Sequence, residues 1–111
     1  MSPGLVRLDR TLAALADPCR RRAVELLGDR PWRAGELSAA LDVTASTMSR
    51  HLRVLRGSGL VAETHPDYDA RVRIYSLQAA PMDELRRWLA EAEVAWADQL
   101  AALRDHLTGE R

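Results

Sequence analysis

Arg50, Arg53 and Arg56 recur at every third residue inside Val43–Ala62, a stretch of twenty residues that contains no acid. Around them stand the hydroxyl residues Thr44, Ser46, Thr47 and Ser49 and the imidazole of His51. Guanidinium forks and hydroxyls on one helix are the groups that bond phosphate oxygens and base edges in a DNA major groove, which is wide enough to admit a helix. The bland fate of such a charge run is a solvated helix face. The absence of any intervening acid favours contact with a polyanion. His51 has two readings: its ring lies near phosphate, or it packs beside Leu55 and bonds the backbone.

Other chemistry-bearing residues are sparse. Cys19 is the single cysteine, which excludes an intramolecular disulfide and a cysteine-cluster zinc site within one chain. At the second position of a helix and beside Arg20, Arg21 and Arg22, its thiolate is favoured by the helix dipole and by positive charge, the setting of a redox or electrophile sensor. The competing reading is a packed, inert thiol. His106, with Asp105 and either Glu91 or Glu93, makes a poor metal site, because adjacent helical residues point in different directions and one histidine is little ligand supply. No metal and no cofactor are expected. No histidine or carboxylate is spaced to serve Cys19 as a general base, so the chain does not read as an enzyme.

These groups need a frame. Leu5, Leu8, Leu12 and Leu15 sit at helical spacing and predict a helix over Leu5–Ala16. Asp17-Pro18 restarts the chain with an N-cap and a proline at the first helical position, and that second helix ends at Gly28. Pro31-Trp32-Arg33 reads as a connecting extended piece, and Ala34–Leu41 as a short helix burying Leu37 and Leu41. A three-residue connection leads to a fourth helix, capped by Thr44, with Met48, Leu52 and Leu55 facing inward and Gly57 and Gly59 ending it. Leu60–Thr64 and Val72–Leu77 predict a hairpin around Pro66-Asp67-Tyr68-Asp69. From Pro81 to about Leu107 apolar residues step by three and four through Met82, Leu85, Leu89, Ala92, Trp96, Leu100, Leu103 and Leu107. That helix runs roughly 40 Å, too long for so small a domain to cover, and calls for a partner helix. The expected fold is mainly α with a small β-hairpin, in the order ααααββα: a helix-turn-helix followed by a wing.

The 111 residues, 47% hydrophobic and 29% charged, fit one globular domain over residues 1–111. No apolar run reaches a membrane span, and Met1–Asp9 lacks the apolar core and cleavage site of a secretory signal, so the expected location is the cytoplasm. The formal net charge of zero conceals a division. Residues 1–60 hold ten arginines and six acids, a net of +4, and residues 61–111 hold six arginines and ten acids, a net of −4.

Ala14-Leu15-Ala16-Asp17-Pro18-Cys19-Arg20-Arg21-Arg22, Gly35-Glu36-Leu37, Ser49-Arg50-His51-Leu52-Arg53-Val54-Leu55-Arg56 and Gly59-Leu60-Val61, in that order, resemble the ArsR/SmtB family of bacterial winged-helix repressors. The resemblance covers about Leu12–Leu77. It implies a homodimer packed through the first and last helices, residues 5–16 and 81–107, with Leu8, Leu12, Leu85, Leu89, Trp96, Leu100 and Leu103 at the interface. It also implies repression of transcription at an inverted repeat of double-stranded DNA.

Three departures shape the expected site. Ala45 stands where many relatives carry a glutamine, so base reading moves to Ser46, Ser49 and Arg50. The wing, His65–Arg71, is long and carries Asp67 and Asp69, which phosphate repels; Arg71 and Arg73 are expected to make the wing contacts. The cysteine pair or the spaced histidines and carboxylates of metal-sensing relatives are absent, and the effector is not readable. Trp88 and Trp96 read as dimer core or as the lining of a small-molecule pocket. The alternative function is a winged-helix interaction module that docks a partner through its long C-terminal helix.

Overall fold

Helix boundaries in the computed structural model, which describes residues 3–109 and side chains from Val6 onward, have local chemical causes. Leu5 of the first apolar stripe lies outside the described side chains. Helix α1 (Pro3–Leu15) ends where Asp17 caps α2 (Pro18–Asp29). The Asp17 carboxylate accepts the N–H groups of Cys19 and Arg20 at 2.8 and 3.1 Å, two donors that the first turn leaves unpaired. Arg21 reaches back to the carbonyls of Leu15 and Ala16 at 2.7 and 3.1 Å, closing the other end of the joint.

Strand β1 (Trp32–Arg33) precedes α3 (Ala34–Ala40), α4 (Ala45–Gly57), β2 (Val61–Thr64), β3 (Ile74–Leu77) and α5 (Ala79–Thr108). The expected two-stranded hairpin is therefore a three-stranded antiparallel sheet in the order β1-β3-β2. Trp32 pairs with Tyr75 and Arg33 with Ile74. Two residues show no periodicity, and the pairing partner lies some forty residues away, so the strand was legible only as an extended connection. Trp32 is pinned by its indole N–H to the Leu26 carbonyl at 2.9 Å and by the Arg30 guanidinium 3.7 Å from its ring centroid.

The turn between α3 and α4 runs Leu41–Thr44, one residue longer than expected, because Asp42 takes a left-handed φ of 54° and ends α3 at Ala40. Aspartate tolerates that region better than most side chains. At the far end of α4 the Leu60 N–H bonds the Leu55 carbonyl and the Gly59 N–H the Arg56 carbonyl, with Gly59 at φ 81°. This paired closure requires a residue without Cβ strain at Gly59 and packs Leu60 against the last turn. Leu60 is consequently buried as part of the helix stop, and β2 begins at Val61 rather than at Leu60. Likewise Val72 and Arg73 belong to the turn region, and β3 starts at Ile74.

The core gathers Ala23, Leu27, Leu37, Met48, Leu52, Leu55, Leu60, Val61 and Tyr75. Leu41, expected inside, is half-buried. Because Leu55 is fully enclosed, Leu55→Ala is expected to lower unfolding stability by about 2–5 kcal/mol. Thr44→Ala, which loses the cap bond to the Thr47 N–H at 3.1 Å and the solvent-exposed hydroxyl bonds to Ser46 and Thr47, is expected to cost about 1 kcal/mol. Urea unfolding of both variants checks the order; equal losses would mean that the core does not carry α4.

Helix α5 leaves this body. Its 30 residues span about 45 Å, and beyond Leu85 every described residue except Ala92 is exposed. The Cα radius of gyration is 18.3 Å, against about 13 Å for a compact chain of this length. No helix among the described residues is long and apolar enough to cross a membrane.

Candidate DNA-binding face

Helical geometry turns Ser46, Ser49, Arg50 and Arg53, at i, i+3, i+4 and i+7, onto one side of α4, and all four are exposed. Met48, Leu52 and Leu55 on the other side are buried and fix the helix to the core. Ion pairs of arginines among the described residues involve Arg7, Arg30, Arg56, Arg71 and Arg86. Arg50 and Arg53 are engaged in none, so their guanidiniums are available to an incoming anion. Arg56, by contrast, bonds Glu63 at 2.8 Å, and the same carboxylate accepts from the Tyr75 hydroxyl at 2.9 Å. Burial first, and then the Glu63 bond and charge, push the Tyr75 hydroxyl above its ordinary pKa.

The start of α4 is a knot of hydroxyls. Thr44 Oγ1 lies 3.2 Å from Ser46 Oγ and donates to Thr47 Oγ1 at 2.9 Å while it accepts the Thr47 N–H. Thr44 and Ser46 remain exposed, whereas Thr47 is half-buried. His51 turns off the exposed face: its ring is half-buried with Nδ1 3.3 Å from Arg20 Nη1. Neither sequence reading of His51 had named that partner. Arg20 in turn donates through Nε to the Ala14 carbonyl at 2.6 Å, so one guanidinium ties the ends of α1 and α2 to α4.

In the wing, the Asp69 carboxylate accepts the Arg71 N–H at 2.9 Å and lies 3.2 Å from Arg71 Nε. The Arg71 side-chain bond, then its backbone N–H, hold the Asp69 carboxyl below the ordinary carboxylate range. Arg71 thus reaches solvent with its charge already offset. Arg33 was missed from sequence. Strand pairing brings it to the wing, where it donates to the Tyr68 hydroxyl at 2.8 Å. It lines, with Arg71, Arg73 and the Ala34–Glu36 start of α3, a cleft of about 430 Å³. No sequence spacing relates Arg33 to Arg71; the β1–β3 pairing does.

Of the residues expected at a dimer interface, Leu8 is only 6% exposed within its own chain, packed where α1 crosses α5, while Leu12 next along the stripe is 42% exposed. Arg7 and Glu84 pair at 3.1 Å across that crossing. Leu85 is half-buried, and Leu89, Trp96, Leu100 and Leu103 are exposed. The Trp88 and Trp96 rings meet edge to face, 6.2 Å apart at 83°, on one side of α5.

A helix held by a buried stripe, with a free cationic and hydroxyl face, preceded by a short helix and followed by a hairpin, defines a winged helix-turn-helix domain of the DNA-binding class. A family model described as a helix-turn-helix domain matches residues 15–64. The HTH-type transcriptional regulator CmtR of Mycobacterium tuberculosis is 45% identical over 73 residues, 66% of this chain and 57% of the relative. The chain therefore matches little more than half the length of that relative. The HTH-type transcriptional regulator Rv2034 of the same species is 37% identical over 78 residues, 70% of each chain. Among solved structures, an ArsR-like transcriptional regulator from Rhodococcus sp. RHA1 superposes with a TM-score of 0.74 at 27% identity, covering 91% of this chain and 92% of that one. The chain belongs to the ArsR-type winged helix-turn-helix transcriptional regulators. These relatives are named as transcriptional regulators rather than enzymes; the sequence spacing offers Cys19 no general base, but helix packing does bring Asp17 and His51 beside it.

Proposed function

We propose that the chain is a sequence-specific DNA-binding repressor, one winged-helix unit that acts as a homodimer on an inverted repeat in the cytoplasm. The observation that carries this reading is the exposed row Ser46, Ser49, Arg50 and Arg53 on a helix whose opposite face is locked into the core. Ser46, Ser49 and Arg50 read base edges; Arg53, Thr44, Arg73 and Arg33 bind phosphate, and Thr47 and His51 position the helix. Dimerisation joins Leu12 of α1 to Leu89, Trp96, Leu100 and Leu103 of α5. Two recognition helices then enter successive major grooves, with half-sites about 10 base pairs apart from centre to centre. The length of α5 that the protomer leaves uncovered supports a helix partner, and a second copy fits the symmetric half-sites that regulators of this architecture use.

Fluorescence anisotropy with the DNA upstream of the protein's own gene tests the reading. Binding is expected to weaken steeply and linearly in log salt, because each phosphate contact releases counterions. Salt-independent association, or none at low salt, would sink it and favour docking of a protein partner along α5.

The wing supplies a finer check. Asp69→Asn removes the carboxylate that offsets Arg71, and is expected to tighten DNA binding severalfold and to steepen the salt dependence by about one counterion. Weaker binding would mean instead that Asp69 is needed to aim Arg71.

A further inference from the structure

Asp17, Cys19 and His51 lie on two different helices, yet they each bring one ligand atom, a carboxylate oxygen, a sulfur and an imidazole nitrogen, to within 4.8 Å of the others. All three residues are half-buried. We propose that this triad is a binding site for a divalent cation of the zinc type, and that its occupation acts on the recognition helix. Oxygen, sulfur and nitrogen donors together suit Zn²⁺ and borderline metals of similar geometry. Bonds of about 2.0–2.3 Å set tetrahedral ligands about 3.4–3.8 Å apart. Side-chain movements of about 1 Å therefore close the triad round an ion. Three protein ligands leave the fourth position to water.

The charges balance. The Asp17 carboxylate and a Cys19 thiolate together neutralise a dication, and the thiol proton leaves for solvent as the metal–sulfur bond forms. Asp17 is already held in place, since one of its oxygens caps α2 through the Cys19 and Arg20 N–H groups. The competitor is Arg20, whose Nη1 stands 3.3 Å from His51 Nδ1. A cation bound through Nδ1 takes the place of this guanidinium, which also bonds the Ala13 and Ala14 carbonyls. Occupation thus exchanges an α1–α2–α4 clamp for a direct α2–α4 bridge, one residue away from Arg50. The sequence holds no close metal spacing because the 31 residues between Cys19 and His51 are spanned by the helix packing alone. The consequence for DNA rests on the function proposed above; the cation site does not.

The test is a titration of the metal-free full chain with Co²⁺, followed by competition with Zn²⁺. One equivalent per chain is expected to raise a sulfur-to-cobalt charge-transfer band and to release protons. Cys19→Ser is expected to abolish the band and weaken binding at least about a hundredfold, since loss of groups that merely orient a ligand already costs 10–100-fold. Asp17→Asn, which keeps the cap because asparagine caps as well as aspartate, is expected to weaken binding about tenfold or more. Far-ultraviolet circular dichroism of the variants verifies folding. No charge-transfer band in the wild type, or equal affinity in Cys19→Ser, overturns the site. With DNA present, Zn²⁺ is expected to change wild-type affinity at least about fivefold, a coupling of ordinary size, and to leave Cys19→Ser unaffected. Cobalt binding without that change would retain the site and overturn its action on the helix. A metal-free protein that fails to bind DNA would overturn the proposed function while the cobalt titration still decides the site.

Discussion

Replacing Leu100 and Leu103 together by glutamate is expected to turn the protein monomeric and to lower its affinity for an inverted repeat by about 10²–10⁴-fold, with each chain still folded. The reasoning starts from placement. Both leucines are exposed on the half of α5 that leaves the body, 45% and 54% respectively, so the substitutions remove no contact from the protomer's own core. Placed in a helix pair, two carboxylates in each copy would face like charges in an apolar seam, where an unpaired charge is strongly destabilising. The affinity loss follows from tethering. Two half-site contacts made by one rigid dimer exceed either contact alone by about 10²–10⁴-fold without any new interaction. Sedimentation equilibrium and anisotropy, with circular dichroism as the folding check, measure all three parts. A dimer that survives both substitutions would place the interface elsewhere, and a monomer that retains full affinity would remove the need for one.

Arg50→Ala and Arg53→Ala are expected to fail in different ways. Arg50, in the middle of α4, is the arginine assigned to base edges; its loss is expected to reduce discrimination between the operator and a scrambled site by about 1–3 kcal/mol. Arg53, one turn further along, is assigned to phosphate, and its loss is expected to weaken both sequences alike and to lower the salt slope by about one. Both are free of partners among the described residues, so neither substitution leaves a buried charge behind. Arg56→Ala serves as the contrast: its guanidinium is committed to Glu63 at 2.8 Å, and its removal is expected to change DNA binding little. Parallel anisotropy titrations over a range of salt distinguish the three. Equal, non-specific losses at Arg50 and Arg53 would reassign Arg50 to the backbone, and no loss at either would mean that α4 does not enter the groove.

Much of the recognition helix was legible along the chain. Thr44 as cap, Met48, Leu52 and Leu55 as the inward stripe and the glycines as the stop are local signals, each set by residues within a turn or two, and each is found in place. The long last helix was legible for the same reason. Less local features were not. Strand β1 has two residues and no period, so Arg33 gave no sign that it would stand beside Arg71 and Arg73. The offset of Arg71 by Asp69 was half visible: the acids of the wing were read as a source of repulsion from DNA, whereas the turn folds Asp69 onto the arginine itself.

The two sides of His51 draw the same line. Helical period placed its neighbours Arg50 and Leu52 outside and inside, because side-chain direction along a helix depends only on residue spacing. What His51 meets at its own intermediate position depends on which helix packs there, and that is Arg20 and Asp17-Pro18-Cys19 at the start of α2. The division of charge between the two parts of the chain, the order of the five helices and the apolar stripe of α5 are properties of the chain as written. The free row on α4, the three-stranded sheet that gathers the wing arginines, the burial of Leu8 and the convergence of Asp17, Cys19 and His51 come from packing. Packing joins residues by shape and burial over any separation in sequence, and no pattern of neighbours along the chain encodes it.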